Sequence, residues 1–427
     1  MTAIVVFVCL ALFLLLSVPI GIALGLATLV TIIYSGSMPL EFLAQGLITS
    51  VDSFPLMAVP FFILAGDIMG KGGVSDRLFN VANTIVGNKT GGFAIATIIT
   101  CMFFAAISGS GPATVAAIGG IMIPAMVRQG YDKKFATAVV CAAGSIGVII
   151  PPSIPMVIYG VVGSVSIGKL FIAGIVPGIL VGIALMVWAY IHSRKQGYRG
   201  LDKKSTFKDF LKASWDAKWA LLIPVIILGG IYGGIFTPTE AAVVAVVYGF
   251  VAGLFLYREL KIKDLPKIFV DTAVTTATIM LIVGTATAFG RVLTVEAIPT
   301  QVTEAMLSIS NNPIVIILLI NVLLLIVGCF MDTLAAIIIL TPLLLPIAVN
   351  IGYDPIHFGI IMVVNLAIGF ITPPLGVNLF VGSGISGLSI ESISKAVMPF
   401  FVAMVITLLF ITFIPQLSLY LVSLGGK

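Results

Sequence analysis

The chain has 427 residues, 60% of them hydrophobic and 9% charged, with a mean hydropathy of +1.23. A soluble domain carries about 25% charged residues, so this composition excludes a water-soluble globular protein and defines an integral membrane one. The net charge of +5 does not point to nucleic acid, because the basic residues fall in short loops between apolar runs.

Those runs have helix length and lack the period-two alternation of a membrane barrel, so the expected fold is all-α and polytopic. Met1-Thr2-Ala3-Ile4 has no basic n-region, and it reads as the start of a membrane helix rather than a removed signal peptide. In chain order, spans are expected near 3–16, 19–34 and 55–70. A segment at 93–128, an interrupted span at 134–160 and a span at 170–191 follow. Residues 192–219 form a linker with Arg194, Lys195, Arg199, Lys203, Lys204, Lys208, Lys212 and Lys218 set against Asp202, Asp209 and Asp216, which places it in the cytoplasm. Within it Phe207, Phe210, Leu211, Trp215 and Trp219 share one helical face, as in a helix lying on the lipid surface. Spans at 220–236 and 238–256 come next, then a basic arm at 258–270 and a span at 272–290. A segment at 313–349, an interrupted span at 357–381 and a span at 396–420 complete the chain.

Shifted by 222 residues, the sequence lies on itself. Gly130-Tyr131-Asp132 falls on Gly352-Tyr353-Asp354, and Gly147, Pro151, Pro152, Gly160 and Pro177 fall on Gly369, Pro373, Pro374, Gly382 and Pro399. The coinciding residues are helix breakers inside apolar segments, the pattern of a transport site between related halves. Residues 1–70 hold no Lys or Arg, whereas the corresponding part of the second half begins and ends in basic segments. The two halves, 1–191 and 220–427, are therefore expected as inverted-topology repeats. With that threading, all 22 basic residues except Lys169, Arg291 and Lys427 face the cytoplasm.

Segments 93–128 and 313–349 fit poorly as ordinary spans. Each reads as two short helices meeting at a tip, Ser108-Gly109-Ser110-Gly111-Pro112 in the first and Gly328-Cys329-Phe330-Met331-Asp332-Thr333 in the second. The first is flanked by Lys89, Arg128, Lys133 and Lys134, the second by Asn311, Asn312 and Asn350. As re-entrant hairpins entering from opposite faces, they meet the two interruptions, Gly147–Ser153 and Gly369–Leu375, near the midplane. Proline removes a donor and frees the carbonyl one turn back, and an unpaired backbone group in hydrocarbon costs several kcal/mol.

Freed carbonyls with nearby hydroxyls suit a hard cation such as Na⁺, and half-helix N-termini suit an anion. One cation site is expected from Ser108, Ser110, Gly144, Gly147 and Ile150. A second is expected from Gly328, Met331, Asp332, Gly369 and Thr372. Asp332 is the only acid between Glu304 and Asp354, which makes it either a functional intramembrane carboxylate or a helix N-cap. Thr237-Pro238-Thr239-Glu240 is a capping box. Asp67, four residues before Lys71, reads as solvated. His192 and His357 have no metal-ligand company, and Cys9, Cys101, Cys141 and Cys329 read as apolar packing residues. No GxxxxGK[ST] or HExxH motif and no buried Ser/His/Asp set occurs, so neither ATP use by a P-loop nor hydrolysis is indicated. A secondary transporter meets these tests better than an enzyme, with a binding-protein-independent exchanger or a non-transporting membrane anchor as the alternatives.

Four motifs carry a family likeness: Ser108-Gly109-Ser110-Gly111-Pro112-Ala113-Thr114, Gly147-Val148-Ile149-Ile150-Pro151-Pro152-Ser153, Phe236-Thr237-Pro238-Thr239-Glu240-Ala241 and Ile371-Thr372-Pro373-Pro374-Leu375-Gly376. With them the chain resembles, over essentially its whole length, the large membrane subunit of tripartite ATP-independent periplasmic (TRAP) transporters. The resemblance implies a Na⁺-driven importer of a small organic acid, such as a C4-dicarboxylate or sialic acid, in a bacterial inner membrane. The sialic acid branch looks nearest. It also implies an elevator mechanism, with a transport domain holding both hairpins sliding against a scaffold. Two partners are implied, a small four-helix membrane subunit and a soluble periplasmic binding protein. No Arg or Lys falls at the four breaks, so the substrate carboxylate would rest on helix dipoles, hydroxyls and amides. Ser110, Thr114, Ser153, Thr333 and Asn378 are the candidates.

Overall fold

The computed structural model describes residues 2–200, 205–310 and 312–424. Asp202, Lys203, Lys204, Asn311 and Lys427, which helped to place the linker, the second hairpin and the outer charges, lie outside the described residues. Among the described residues the regular structure is entirely helical.

The first part of the chain runs through α1 (Thr2–Leu15), α2 (Ile20–Ser35), α3 (Glu41–Thr49), α4 (Ala58–Lys71) and α5 (Val74–Val86). The first helical pair, α6 (Gly92–Ser108) and α7 (Gly111–Arg128), is followed by α8 (Lys133–Gly144), a 3-10 turn at Ser145–Val148, α9 (Ile154–Val162) and α10 (Ile167–Gln196). The linker carries α11 (Phe207–Asp216). After it come α12 (Lys218–Tyr232), α13 (Pro238–Phe250) with a π-helical extension at Val251–Leu256, α14 (Leu265–Val295) and α15 (Ile298–Ile309). The second pair is α16 (Pro313–Phe330) and α17 (Thr333–Asn350), followed by α18 (Pro355–Gly369), α19 (Val377–Ser386), α20 (Ile390–Phe413) and α21 (Gln416–Leu424). Among the described residues, eight helical segments are long and apolar enough to cross a membrane, and the bent pair α11–α12 raises that to nine. The chain is a polytopic helical membrane protein.

The 222-residue offset reappears in the element boundaries. Helix α7 starts at Gly111 and α17 at Thr333; α8 starts at Lys133 and α18 at Pro355. Local chemistry repeats as well. Asp132 caps α8 by accepting from the Phe135 N–H at 3.0 Å, and Asp354 caps α18 by accepting from the Ile356 N–H at 2.8 Å. Both Pro151-Pro152 and Pro373-Pro374 are cis.

Three expectations change. The end of the arm expected at 258–270 merges with the span expected at 272–290, because α14 runs unbroken from Leu265 to Val295 and only residues 258–264 lie ahead of it. With Pro266 in its first turn and no further Gly or Pro before Gly284, nothing stops the helix. The span expected at 396–420 ends at Phe413, because Pro415 has no N–H with which to extend the helix, and α21 restarts beyond it. The hairpin arms α7, α16 and α17 have 18 residues each, about 27 Å at helical rise, rather than being short. Their length and apolar composition would let each of them span.

The helices pack as two groups. In one, α14 lies against α2, α3 and α4, and α4 against α13. The other holds both helical pairs and both interrupted spans, and there the two sequence halves interlock. Helix α9 of the first half packs on α17 of the second, and α19 of the second half packs on α7 and α8 of the first. Helix α11 begins with a Thr206–Asp209 capping box and leaves Phe207, Leu211 and Trp215 exposed on one stripe, with Lys218 over the Trp215 ring at 3.7 Å.

Candidate functional site

The tip between α6 and α7 turns through Gly109, whose φ of 61° lies in the left-handed region that favours glycine. Its carbonyl accepts from the Ile154 N–H at 3.3 Å, joining the tip to the start of α9. The second tip makes the matching bond, with the Cys329 carbonyl accepting from the Leu375 N–H at 2.9 Å. Each helical pair is thus bonded by its tip to the interrupted span that follows it, and this satisfies backbone groups that lipid could not.

Glycines make the approach possible. A methyl on Gly147 would lie 2.5 Å from the Ser110 carbonyl oxygen and 2.7 Å from Thr114 Oγ1. A methyl on Gly369 would meet the Gly328 carbonyl oxygen, so backbone touches backbone at both breaks. Around the first contact, Ser108 Oγ and Thr114 Oγ1 are 3.0 Å apart, and Thr114 Oγ1 donates to the Ser110 carbonyl at 2.7 Å. Ser108, Ser110 and Gly147 therefore converge as expected. Gly144 is adjacent, facing Gly111 and Asn378. Ile150 sends its side chain away, onto Gly178 of α10.

Around the second contact, Thr372 Oγ1 donates to the Ile368 carbonyl at 2.8 Å and Thr333 Oγ1 to the Leu366 carbonyl at 3.5 Å. Asp332 accepts from the Leu334 N–H at 2.9 Å and caps α17, so its N-cap reading holds, and its carboxylate also borders a cavity. Met331, extended at φ −127°, leads into it.

That cavity, of about 310 Å³, lies between the two groups of helices. One wall is Gly66 and Asp67 of α4 with Thr275 and Ile279 of α14. The other is the first turns of three helices: Ser110 and Pro112 at α7, Ile154 and Pro155 at α9, Thr333 and Leu334 at α17. No Lys or Arg lines it. Of the five residues expected to touch substrate, Ser110 and Thr333 line the cavity and the other three do not. Thr114 is fully buried on the Ser110 carbonyl. Ser153 is committed to capping α9 and to donating to the Val148 carbonyl at 2.6 Å. Asn378 crosses into the first half, donating to the Cys141 carbonyl at 3.0 Å and to Ser145 Oγ at 3.2 Å. Each of the three bonds a backbone carbonyl within the protein, while Asn378 Oδ1, facing Gly111, is buried with no hydrogen-bond partner among the described residues.

Two features escape a reading of the sequence. Asp67 is not solvated beside Lys71; it lines the cavity and accepts from Thr272 Oγ1 at 3.1 Å. A lone acid in an otherwise apolar span was the available signal. Asn365 and Asn321 form a buried amide pair between α18 and α16. Beyond the first cavity, a second of about 560 Å³ lies further along α14, between α3, α9, α14 and α17, with Arg291 its single charged residue.

Paired helices bonded by their tips to interrupted spans, around a cavity edged by helix N-termini, define a multi-pass membrane transport protein. The sequence profile of the tripartite ATP-independent periplasmic transporter, DctM component, matches residues 7–417, and the chain belongs to that family, the TRAP transporter large membrane subunits. It is 56% identical over 410 residues to the isethionate TRAP transporter permease protein DctMQ of Oleidesulfovibrio alaskensis, covering 96% of this chain but 65% of that longer relative. It is 45% identical to the C4-dicarboxylate TRAP transporter large permease protein DctM of Pseudomonas aeruginosa, covering 93% of each. With the sialic acid TRAP transporter large permease protein SiaM of Vibrio cholerae it shares 40% identity over 95% of each. The crystal structure of the Alcanivorax borkumensis YdaH transporter matches with a TM-score of 0.60 at 16% identity, covering 91% of this chain and 89% of that one, a likeness of fold alone.

Proposed function

We propose that this chain is the translocating subunit of a Na⁺-coupled importer of a small organic anion, working as an elevator in a bacterial inner membrane. The observation that carries the reading is the convergence of three helix N-termini on one cavity without a basic side chain. Each N-terminus is worth about half a positive charge, so α7, α9 and α17 together offer about +1.5, against which stand the carboxylates of Asp332 and Asp67 in the same lining. An anion would bind there without an arginine clamp, through the N-terminal N–H groups, with cations held at the two tip contacts supplying the further positive charge. Oxygen donors at Ser108, Ser110 and Thr114, and at Gly328, Asp332 and Thr372, are the hard ligands that Na⁺ prefers.

The α2–α3–α4–α13–α14 group would be the scaffold. The interlocked group with both helical pairs would move, and the 222-residue repeat would be inverted. The basic linker and the Arg258–Lys267 stretch orient the cavity at Asp67 toward the cytoplasm, and the exposed stripe of α11 would lie on that leaflet. Substrates named for the relatives make a two-carbon sulfonate or a C4-dicarboxylate the first probes, with sialic acid after them. The extra length of the DctMQ relative beyond this chain is consistent with a small membrane subunit as partner, and the family supports that subunit and a periplasmic binding protein. Vesicles holding this chain and the small subunit, supplied outside with binding protein, should take up [14C]isethionate or [14C]succinate under an inward Na⁺ gradient and ignore ATP. Uptake that persists without the gradient would remove the coupling.

A further inference from the structure

One stripe of α14 runs past both cavities. Thr275 and Ile279 line the smaller one; Val283, Thr287, Arg291 and Thr294 line the larger. From Thr275 to Arg291 is sixteen residues, about 24 Å along the helix. The facing wall is continuous too, because α9 and α17 begin at the smaller cavity and reach the larger one with Ile158 and Ile338. The wall that α4 and α14 present is therefore charged oppositely at its two ends. Asp67 stands at the smaller cavity, held by Thr272, and Arg291 at the larger. Lys71, one turn beyond Asp67 on α4, does not line the cavity and offsets the carboxylate only partly, from outside it.

We propose that Asp67 is a release residue: its carboxylate on the fixed wall weakens anion binding when the site faces the cytoplasm, so that substrate leaves on that side. The inference rests on the elevator reading above. The helix N-termini that attract the anion belong to the moving group and travel with it. Asp67 belongs to the wall, so it acts only at the cytoplasmic end of the stroke. At the other end the same anion would pass Arg291. The differential is thus built into the scaffold. It cannot drive uphill transport by itself, because the conformational free energy adjusts to compensate, but it sets how readily the last ligand leaves.

A cavity of about 310 Å³ is roughly 8 Å across. A unit charge at that distance, in an effective dielectric of about 20 to 40, changes anion affinity about five- to thirty-fold. Gly66, beside Asp67, lets α4 come within contact of the Ser108 backbone, where an added methyl would lie 3.2 Å from Ser108 Cα. Little space for dilution by water is left on that side of the tip.

The test uses proteoliposomes of the chain with its small subunit, with binding protein outside so that only one orientation is driven. They are loaded with graded unlabelled isethionate (or succinate, whichever wild type carries), and uptake of the labelled compound is read as internal ligand inhibits it. For Asp67→Asn, which keeps an acceptor for Thr272, the internal concentration that halves uptake should fall about five- to thirty-fold while the external half-saturation stays unchanged. Asp67→Glu should behave as wild type, and Arg291→Gln should leave the internal value alone. An unchanged or raised internal value in Asp67→Asn, or an equal fall in Arg291→Gln, overturns the proposal. So does loss of Na⁺ activation in Asp67→Asn, which would make Asp67 a cation ligand. If Asp67→Asn does not assemble, the same comparison is made by raising the charge pressure with Thr275→Asp, which should increase the internal value; no increase overturns it. Wild type without Na⁺-dependent uptake refutes the transport reading itself, and with it this one.

Discussion

Replacing Gly147 with alanine would put a methyl carbon 2.5 Å from the Ser110 carbonyl oxygen and 2.9 Å from its carbonyl carbon. Neither atom is the end of a flexible side chain. A carbon–oxygen contact settles at about 3.3 Å or more, so the tip must retreat by about 0.8 Å. The Gly109 carbonyl to Ile154 N–H bond, already 3.3 Å, would then leave hydrogen-bond range, at a cost of about 1 kcal/mol. Overpacking adds about 1–3 kcal/mol, for a total of about 2–4 kcal/mol. Where that strain is borne only when the tip closes on a cation, even the lower figure corresponds to about 30-fold in cation affinity. We therefore expect Gly147→Ala to need at least 30-fold more Na⁺ for half-maximal uptake in proteoliposomes and to unfold earlier in detergent. Gly120→Ala, on α7 with nothing within 4 Å of the new methyl, is the control and should match wild type in both measurements. Wild-type Na⁺ activation in Gly147→Ala would refute the claim that backbone contact at this break forms the cation site.

Other predictions separate structure from coupling. Asp332→Asn keeps a capping oxygen for the Leu334 N–H and removes the charge, so melting should move little while Na⁺ activation shifts upward by tenfold or more; an unchanged activation curve would leave Asp332 as a cap alone. Asn378→Ala strips hydrogen bonds from the Cys141 carbonyl and Ser145 Oγ inside a dry core, and should cost about 1–3 kcal/mol in melting without selectively changing substrate half-saturation. Arg77→Ala breaks an ion pair with Glu259 at 2.6 Å; because both partners are partly exposed, the expected loss is under about 1 kcal/mol, checked by thermal melting.

Helix interruptions were legible in the sequence because they depend on local residues. The paired prolines at 151–152 and 373–374 fall in interruptions, whereas the lone prolines at 124, 177, 224 and 399 sit inside continuous helices, and Asp132 and Asp354 cap from within their own turn. Charge runs were less reliable. The basic residues Arg258, Lys261 and Lys263 do precede the long helix, but Lys267 already lies in the first turn of α14, so the arm passes directly into the apolar helix that runs on to Val295. Side-chain roles were least legible, since they depend on which helices meet. Asn378 lies 237 residues from the Cys141 carbonyl it binds, and Asp67 lies 205 residues from Thr272. No local pattern specifies such partners. Ser110 and Asp332 were recoverable because each is both a helix cap and a tip residue, so local chemistry and site chemistry coincide.

The repeat is imperfect where it matters for coupling. Gly147 and Gly369 are equivalent by the 222-residue offset, yet they touch different parts of their tips. Gly147 lies on the start of the second arm, at Ser110, whereas Gly369 lies on the end of the first arm, at Gly328. The second interruption therefore docks four residues earlier in its tip than the first does, which leaves Met331 and Asp332 projecting past the contact. In the first tip the equivalent of Asp332 is Ser110, so that contact is surrounded by neutral oxygens. A cation at the first contact would be held by hydroxyls and carbonyls alone, whereas one at the second would also feel a carboxylate. At equal geometry the charged site binds more tightly, so the neutral site should empty first when the cavity opens. Two equal phases in a Na⁺ activation curve, both unaffected by Asp332→Asn, would show that the asymmetry of the tips does not reach the ions.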